Sequence, residues 1–256
     1  ALASGYRADI NVFNNLVNFQ PQLVIKDGTV VVSKQKLLWQ SPPLLAAPVN
    51  TMRLEDVRAQ QLQLPAQAGR RARVIRIVPE QILTELRFRE PLIQNGLVVS
   101  DTERDIVKLA VWERHGVNGN VGVGLVQGFG LKRGALASTI AHDSHNLIVT
   151  GVNDEDMLAA AVALQQVGGG LAVVVDGEVK ALLPLPLAGL MSDQNTEFVQ
   201  HKLQQLNFWA SELGVPENVN AFNCLSFLAL PVIPSLRLSD KGLVDVDKFV
   251  LVDLWE

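Results

Sequence analysis

The sequence predicts an α+β fold, with mixed sheets, flanking helices and a short all-β segment at the start. Three observations carry this. Strand-length apolar runs dense in glycine crowd residues 116–152, two capped helical stretches follow at about 154–167 and 195–213, and strands and helices do not alternate strictly as a doubly wound α/β sheet requires.

Taken in order, residues 5–32 read as short strands. "ADINVFNN" alternates in polarity, and "QLVIKDGTVVV" is a hairpin whose Asp27-Gly28 pair suits the positive φ of a tight turn. Two strands and a hairpin do not make a stable sheet by themselves, so their apolar faces need partners.

Residues 40–100 are divided by Pro42, Pro43, Pro48, Pro65, Pro79 and Pro91, with a strand-like "ARVIRIV" at 72–78. The basic run Gly69-Arg70-Arg71-Ala72-Arg73 reads as a charged, solvated turn. Ser100-Asp101-Thr102-Glu103 has capping-box spacing, but Ile106, Val107, Val111 and Trp112 also suit a buried strand. A short turn followed by a strand ending at Glu113-Arg114-His115 is the expectation.

"GNVGVGLVQGFGL", "GALASTIA" and "HNLIVTGV" are then strands, and Asn153 or Asp154 caps a helix that Gly168 stops. "LAVVVDGEVKALL" is a second hairpin turning at Asp176-Gly177. A longer amphipathic helix places Phe198, Leu203, Leu206 and Trp209 on or near one face and ends at Gly214. "CLSFLALPVIP" and "DVDKFVLVDLW" read as closing strands.

At 256 residues the chain buries a sizeable core, and 48% hydrophobic with 19% charged residues is an ordinary globular balance. A net charge of −4 offers no broad positive field, so nucleic acid is not an expected partner. The most apolar stretches are broken by Gln165-Gln166 with Gly168–Gly170, and by Pro231 and Pro234, short of the ~20 residues of a membrane span. No membrane segment is expected. Cys224 is the only cysteine, which precludes an intrachain disulfide and suits a reducing cytoplasm.

The chemistry centres on His142-Asp143-Ser144-His145, two of four histidines three residues apart. On a helix such a pair shares a face and can hold a metal; on a strand it does not, unless the strand breaks at the good turn residues Asp143 and Ser144. Glu113 and His115 are auxiliary ligand candidates from another segment. A serine nucleophile with adjacent base and acid rarely attains triad geometry. The remaining reading is structural, with the side chains bonding backbone groups at a strand end. Gly168-Gly169-Gly170 has no phosphate-loop context and reads as a helix stop.

Residues 127–193, "QGFGLKRGALASTIAHDSHNLIVTGVNDEDMLAAAVALQQVGGGLAVVVDGEVKALLPLPLAGLMSD", closely resemble the C-terminal domain of the microbial adenine deaminases of the amidohydrolase superfamily. "SFLALPVIPSLRLSDKGLVDV" at 226–246 resembles that family's closing segment. "SGYRADINVFNNLVNFQPQLVIKDGTVV" at 4–31 resembles the strand and hairpin after the amidohydrolase barrel. The resemblance implies trailing strands of the small β domain over 1–40 and the C-terminal α+β domain over 41–256.

It also implies hydrolysis of adenine to hypoxanthine and ammonia by a hydroxide bound to a divalent metal, manganese or iron. The family holds its metals with a His-x-His pair and further His, Glu and Asp residues in a barrel. This chain has no His-x-His, and no metal is expected on it; taken with the opening at Ala1, it reads as the part that follows the barrel, inactive alone. The implied partners are that barrel, adenine in the complete enzyme, and further copies in a homo-oligomer. His142, Asp143, Ser144, His145 and Asn146 then become candidates for a position near substrate, beside the structural and auxiliary-metal readings. The rival function is a non-catalytic module for oligomerisation or for covering the active site.

Overall fold

The computed structural model describes residues 2–40, 51–54 and 57–256. The chain forms two compact units, Ala1–Ala46 and Ala47–Glu256. The expected boundary at 40/41 and Pro42, Pro43 and Pro48 border on or fall among residues outside the described set.

The first unit is a four-stranded antiparallel sheet of β1 (Ile10–Phe13), β2 (Pro21–Lys26), β3 (Thr29–Ser33) and β4 (Lys36–Leu37), in that order. Asp27 and Gly28 make the expected turn at φ +48° and +77°.

The second unit is built on an eight-stranded sheet. Its strands are β5 (Ala72–Ile77) and β6 (Thr84–Arg89), then, after a small hairpin of β7 (Leu92–Gln94) and β8 (Leu97–Val99), β9 (Ile106–Trp112), β10 (Val121–Gln127), β11 (Ala135–Ser138) and β12 (Leu147–Gly151). After helix α1 (Asp154–Gln166) come β13 (Gly170–Val175) and β14 (Glu178–Pro184). The order is β14-β13-β11-β12-β9-β10-β5-β6, antiparallel except where β10 runs parallel to β5.

Helices α2 (Thr196–Glu212) and α3 (Ala221–Phe227) precede a three-stranded sheet of β15 (Leu236–Ser239), β16 (Gly242–Asp245) and β17 (Val250–Val252). The large sheet is covered on both faces. Met157, Ala160, Ala161 and Leu164 of α1 pack on Ala110, Ala137, Val149 and Val174. Leu206 and Ala210 of α2, Leu225 of α3, and Leu236 and Leu243 pack on the opposite face, with Leu109, Ile148 and Val173. Double cover is why β9, β12 and β13 are buried at every position and largely apolar rather than alternating. Close approach also dictates Gly122: a Cβ there would stand 1.9 Å from the Ser239 carbonyl oxygen.

The α1 start follows the sequence, since Asn153 Oδ1 accepts from Asp156 N, and α2 is capped in the same way by Asn195 Oδ1 accepting from Phe198 N. Gly168–Gly170, all at positive φ, stop α1 as expected. One expectation is corrected. "CLSFLALPVIP" is not a strand: residues 221–227 form α3, capped by Asn220 and burying Ala221, Phe222, Leu225 and Ser226, a helical spacing. The last eleven residues hold only the short β17 and a bridge from Trp255 to Ala72. Among the described residues no helix is long and apolar enough to cross a membrane.

Candidate functional site at the His142–Asn146 turn

β11 and β12 are antiparallel neighbours, paired from Ser138 with Ile148 onward, so the segment between them must reverse. His142–His145 form that turn, closed by His145 N donating to Ala141 O at 2.6 Å, with His145 at φ +50°. Asp143 and Ser144 lie exposed at its tip, as good turn residues should.

The two rings meet edge to face, with centroids 5.4 Å apart. His142 is held by α3: its N–H donates to Ser226 O at 2.9 Å, and its ring lies 4.8 Å from that of Phe227. His115, just past β9, donates from Nε2 to Ser144 O at 2.8 Å. Three of the four histidines therefore gather at one turn. His145 Nδ1 is buried and has no hydrogen-bond partner among the described residues. Burial, then the neighbouring His142 and Arg114 charges, holds the His145 imidazole below its ordinary pKa, against the opposing pull of Asp143.

The other candidates divide. Asn146 is buried; its Oδ1 accepts from Arg114 N at 3.4 Å and its Nδ2 donates to Asp240 Oδ1 at 3.3 Å. Glu113 is occupied locally, accepting backbone N–H bonds from His115, Val117, Asn118 and Gly119 at 2.5–3.3 Å. Burial alone would raise its pKa, but these donors outweigh it and hold the carboxyl below the usual range. Among the described residues no three His, Cys, Asp or Glu side chains are placed to hold a metal ion.

Sequence reasoning missed Arg114, which is 1% exposed. Its Nε donates to His145 O, Nη1 to Thr51 Oγ1 at 3.2 Å and Nη2 to Ala188 O at 3.0 Å. The available signal was a charged residue closing an apolar strand.

Residues 81–250 match the family described as the adenine deaminase C-terminal domain. The chain belongs to that family. It is 51% identical over 253 residues to adenine deaminase 2 of Carboxydothermus hydrogenoformans, which covers 98% of this chain and 44% of that protein. It is 46% identical to the adenine deaminases of Desulfatibacillum aliphaticivorans and Methanothrix thermoacetophila, over 255 and 260 residues, covering 100% of this chain and 44% of each relative. The chain of this adenine deaminase C-terminal domain family thus spans less than half the length of these relatives.

Proposed function

We propose that this chain is the C-terminal portion of a metal-dependent adenine deaminase, and that its His142–Asn146 turn lines or closes the active site of the complete enzyme. The overall reaction is hydrolysis of adenine to hypoxanthine and ammonia. The observation that carries the turn's role is His145: a half-buried ring held below its ordinary pKa by burial, with an Nδ1 unpartnered among the described residues, has capacity to bond a ligand or to exchange a proton with it. On this reading the manganese or iron belongs to the remainder of the enzyme. This chain's residues would serve as bonding and covering groups. A cytoplasmic location goes with the reading, since the lone Cys224 needs no oxidising compartment.

Replacing His142 or His145 by Ala in the complete enzyme is expected to lower kcat/KM by roughly tenfold or more, with little loss of stability. Unchanged kinetics in a folded variant refute the placement. The chain alone is expected to show no adenine turnover with Mn²⁺; turnover would move the chemistry onto Glu113, His115, His142 and His145.

A second reading, an assembly module, is favoured by the first unit. Leu16, Val17, Phe19, Leu38 and Trp39 there are all at least half exposed. The mass of the chain in solution tests it: a monomer at micromolar concentration removes this reading.

A further inference from the structure

Among the described residues Arg114 is a buried cation without a counter-ion. Its three side-chain bonds all go to uncharged oxygens, on the His145 and Ala188 carbonyls and the Thr51 hydroxyl. A charge buried in this way is costly, and burial draws its pKa down. The shape around it is equally demanding. A Cβ on Gly189 would stand 2.8 Å from Nη1 and 2.9 Å from Cζ, and Gly189 sits at φ +71°, so the backbone presses flat on the guanidinium. Thr139 Oγ1 donates to Gly189 O at 2.6 Å, fixing the same loop to the exit of β11. The main chain of Arg114 adds two more ties, accepting from Arg53 N at 2.8 Å and donating to Asn146 Oδ1.

Packing alone is a weak reason for this arrangement, because an apolar side chain would fill the space without the burial penalty. A planar fork with several donors does what no apolar residue can, joining separate segments in one geometry. We propose that Arg114 is the positioning residue of the His142–Asn146 turn, clamping the His145 carbonyl to the 188–189 loop and to Thr51 so that the His145 ring is held in one orientation. The inference rests on the reading that this turn works beside substrate. The clamp's charge has a second effect: the groups that act on the His145 ring are His142 and Asp143 of its own turn and Arg114 and His115 of the strand end, while Asp240 is held on Asn146. Arg114 is thus one of three neighbours, with His142 and His115, that oppose protonation of His145.

The test uses the complete enzyme with Arg114→Met, Arg114→Lys and Gly189→Ala, read by kcat and KM for adenine and by NMR titration of the labelled His145 ring. Arg114→Met is expected to lower kcat roughly tenfold or more, with a smaller change in KM, and to move the His145 midpoint to higher pH. Arg114→Lys keeps the charge and the midpoint but restores only part of kcat, since one ammonium cannot span three acceptors. Gly189→Ala pushes the guanidinium from its far side and lowers kcat with Arg114 intact.

A folded Arg114→Met enzyme with unchanged kcat and an unmoved midpoint overturns the proposal. If that variant does not fold, full activity in Gly189→Ala overturns it. If instead His142→Ala and His145→Ala leave kinetics untouched, the functional reading of the turn fails, and the His145 titration in Arg114→Met still decides whether Arg114 acts on the ring.

Discussion

The Lys108 ammonium lies 2.8 Å from the Asp154 carboxylate and also donates to the Leu62 carbonyl at 3.1 Å, in the middle of a strand whose every residue is buried. The pair ties the first residue of α1 to the centre of the large sheet. Lys108 is 3% exposed, so the ion pair exists at the edge of a dry region. Asp154→Asn leaves a buried cation with only uncharged oxygens for partners and is expected to cost about 3 kcal/mol. Lys108→Met removes the charge along with its desolvation penalty and is expected to cost about 1 kcal/mol. Urea unfolding followed by tryptophan fluorescence compares the two; equal losses would contradict the account.

Glu113 gives a pH dependence with a definite sign. Its folded pKa lies below the ordinary value, so the unfolded chain binds its proton more tightly. The stabilisation is present above the ordinary glutamate range and is lost as pH falls through the folded pKa. Glu113→Gln is expected to be less stable than the parent at pH 7, with the gap narrowing toward pH 3. A gap that stays constant across this range would show that the four backbone bonds do not depend on ionisation.

Cys224 sits half-buried in α3, and burial pushes its thiol up to about 12. Only the thiolate reacts readily with alkylating agents. Iodoacetamide at pH 8 is therefore expected to modify the folded chain far more slowly than the urea-unfolded chain. Equal rates, read by intact mass, would mean that α3 opens or that the thiol is not desolvated.

Asn153 makes two contacts with one residue: Oδ1 accepts from Asp156 N at 2.7 Å, and Nδ2 donates to Asp156 Oδ2 at 2.8 Å. Asp156 is 1% exposed, and its other oxygen accepts from Gly177 N in the β13–β14 turn. Asn153→Ala is expected to cost about 1–2 kcal/mol. Asn153→Asp keeps the cap but sets two carboxylates together, so it should recover only part of that loss in thermal unfolding.

What was legible from sequence was what neighbouring residues decide. Asp27-Gly28, Asp176-Gly177 and Asp143-Ser144 declared their turns, and Asn153 declared a helix start, because each acts on backbone within three residues of itself. The α3 error has a physical source: Leu225, Phe227, Leu228 and Leu230 look like strand residues, and the Asn220 cap outside the run was the overlooked signal. Period-two patterning marks which residues are buried but not which strand lies alongside, so the parallel pairing of β10 with β5 stayed hidden. The histidine turn itself was visible. Its clamp was not, because Thr51, Arg114, His145 and Ala188 converge only after the sheet has formed.

The strand order of the large sheet carries a consequence for how the chain assembles. Pairings among β9 to β14 all fall within residues 106–184, whereas β5 attaches to β10 across a somewhat longer loop and to the C-terminal tail, through the Ala72–Trp255 bridge, across a far longer one. Short closures form faster than long ones. The block of strands from β9 to β14, which includes the histidine turn, would then form early, and β5–β6 with the C-terminal tail would close over it last. Hydrogen-exchange labelling during refolding should protect Val149 and Val173 before Val74.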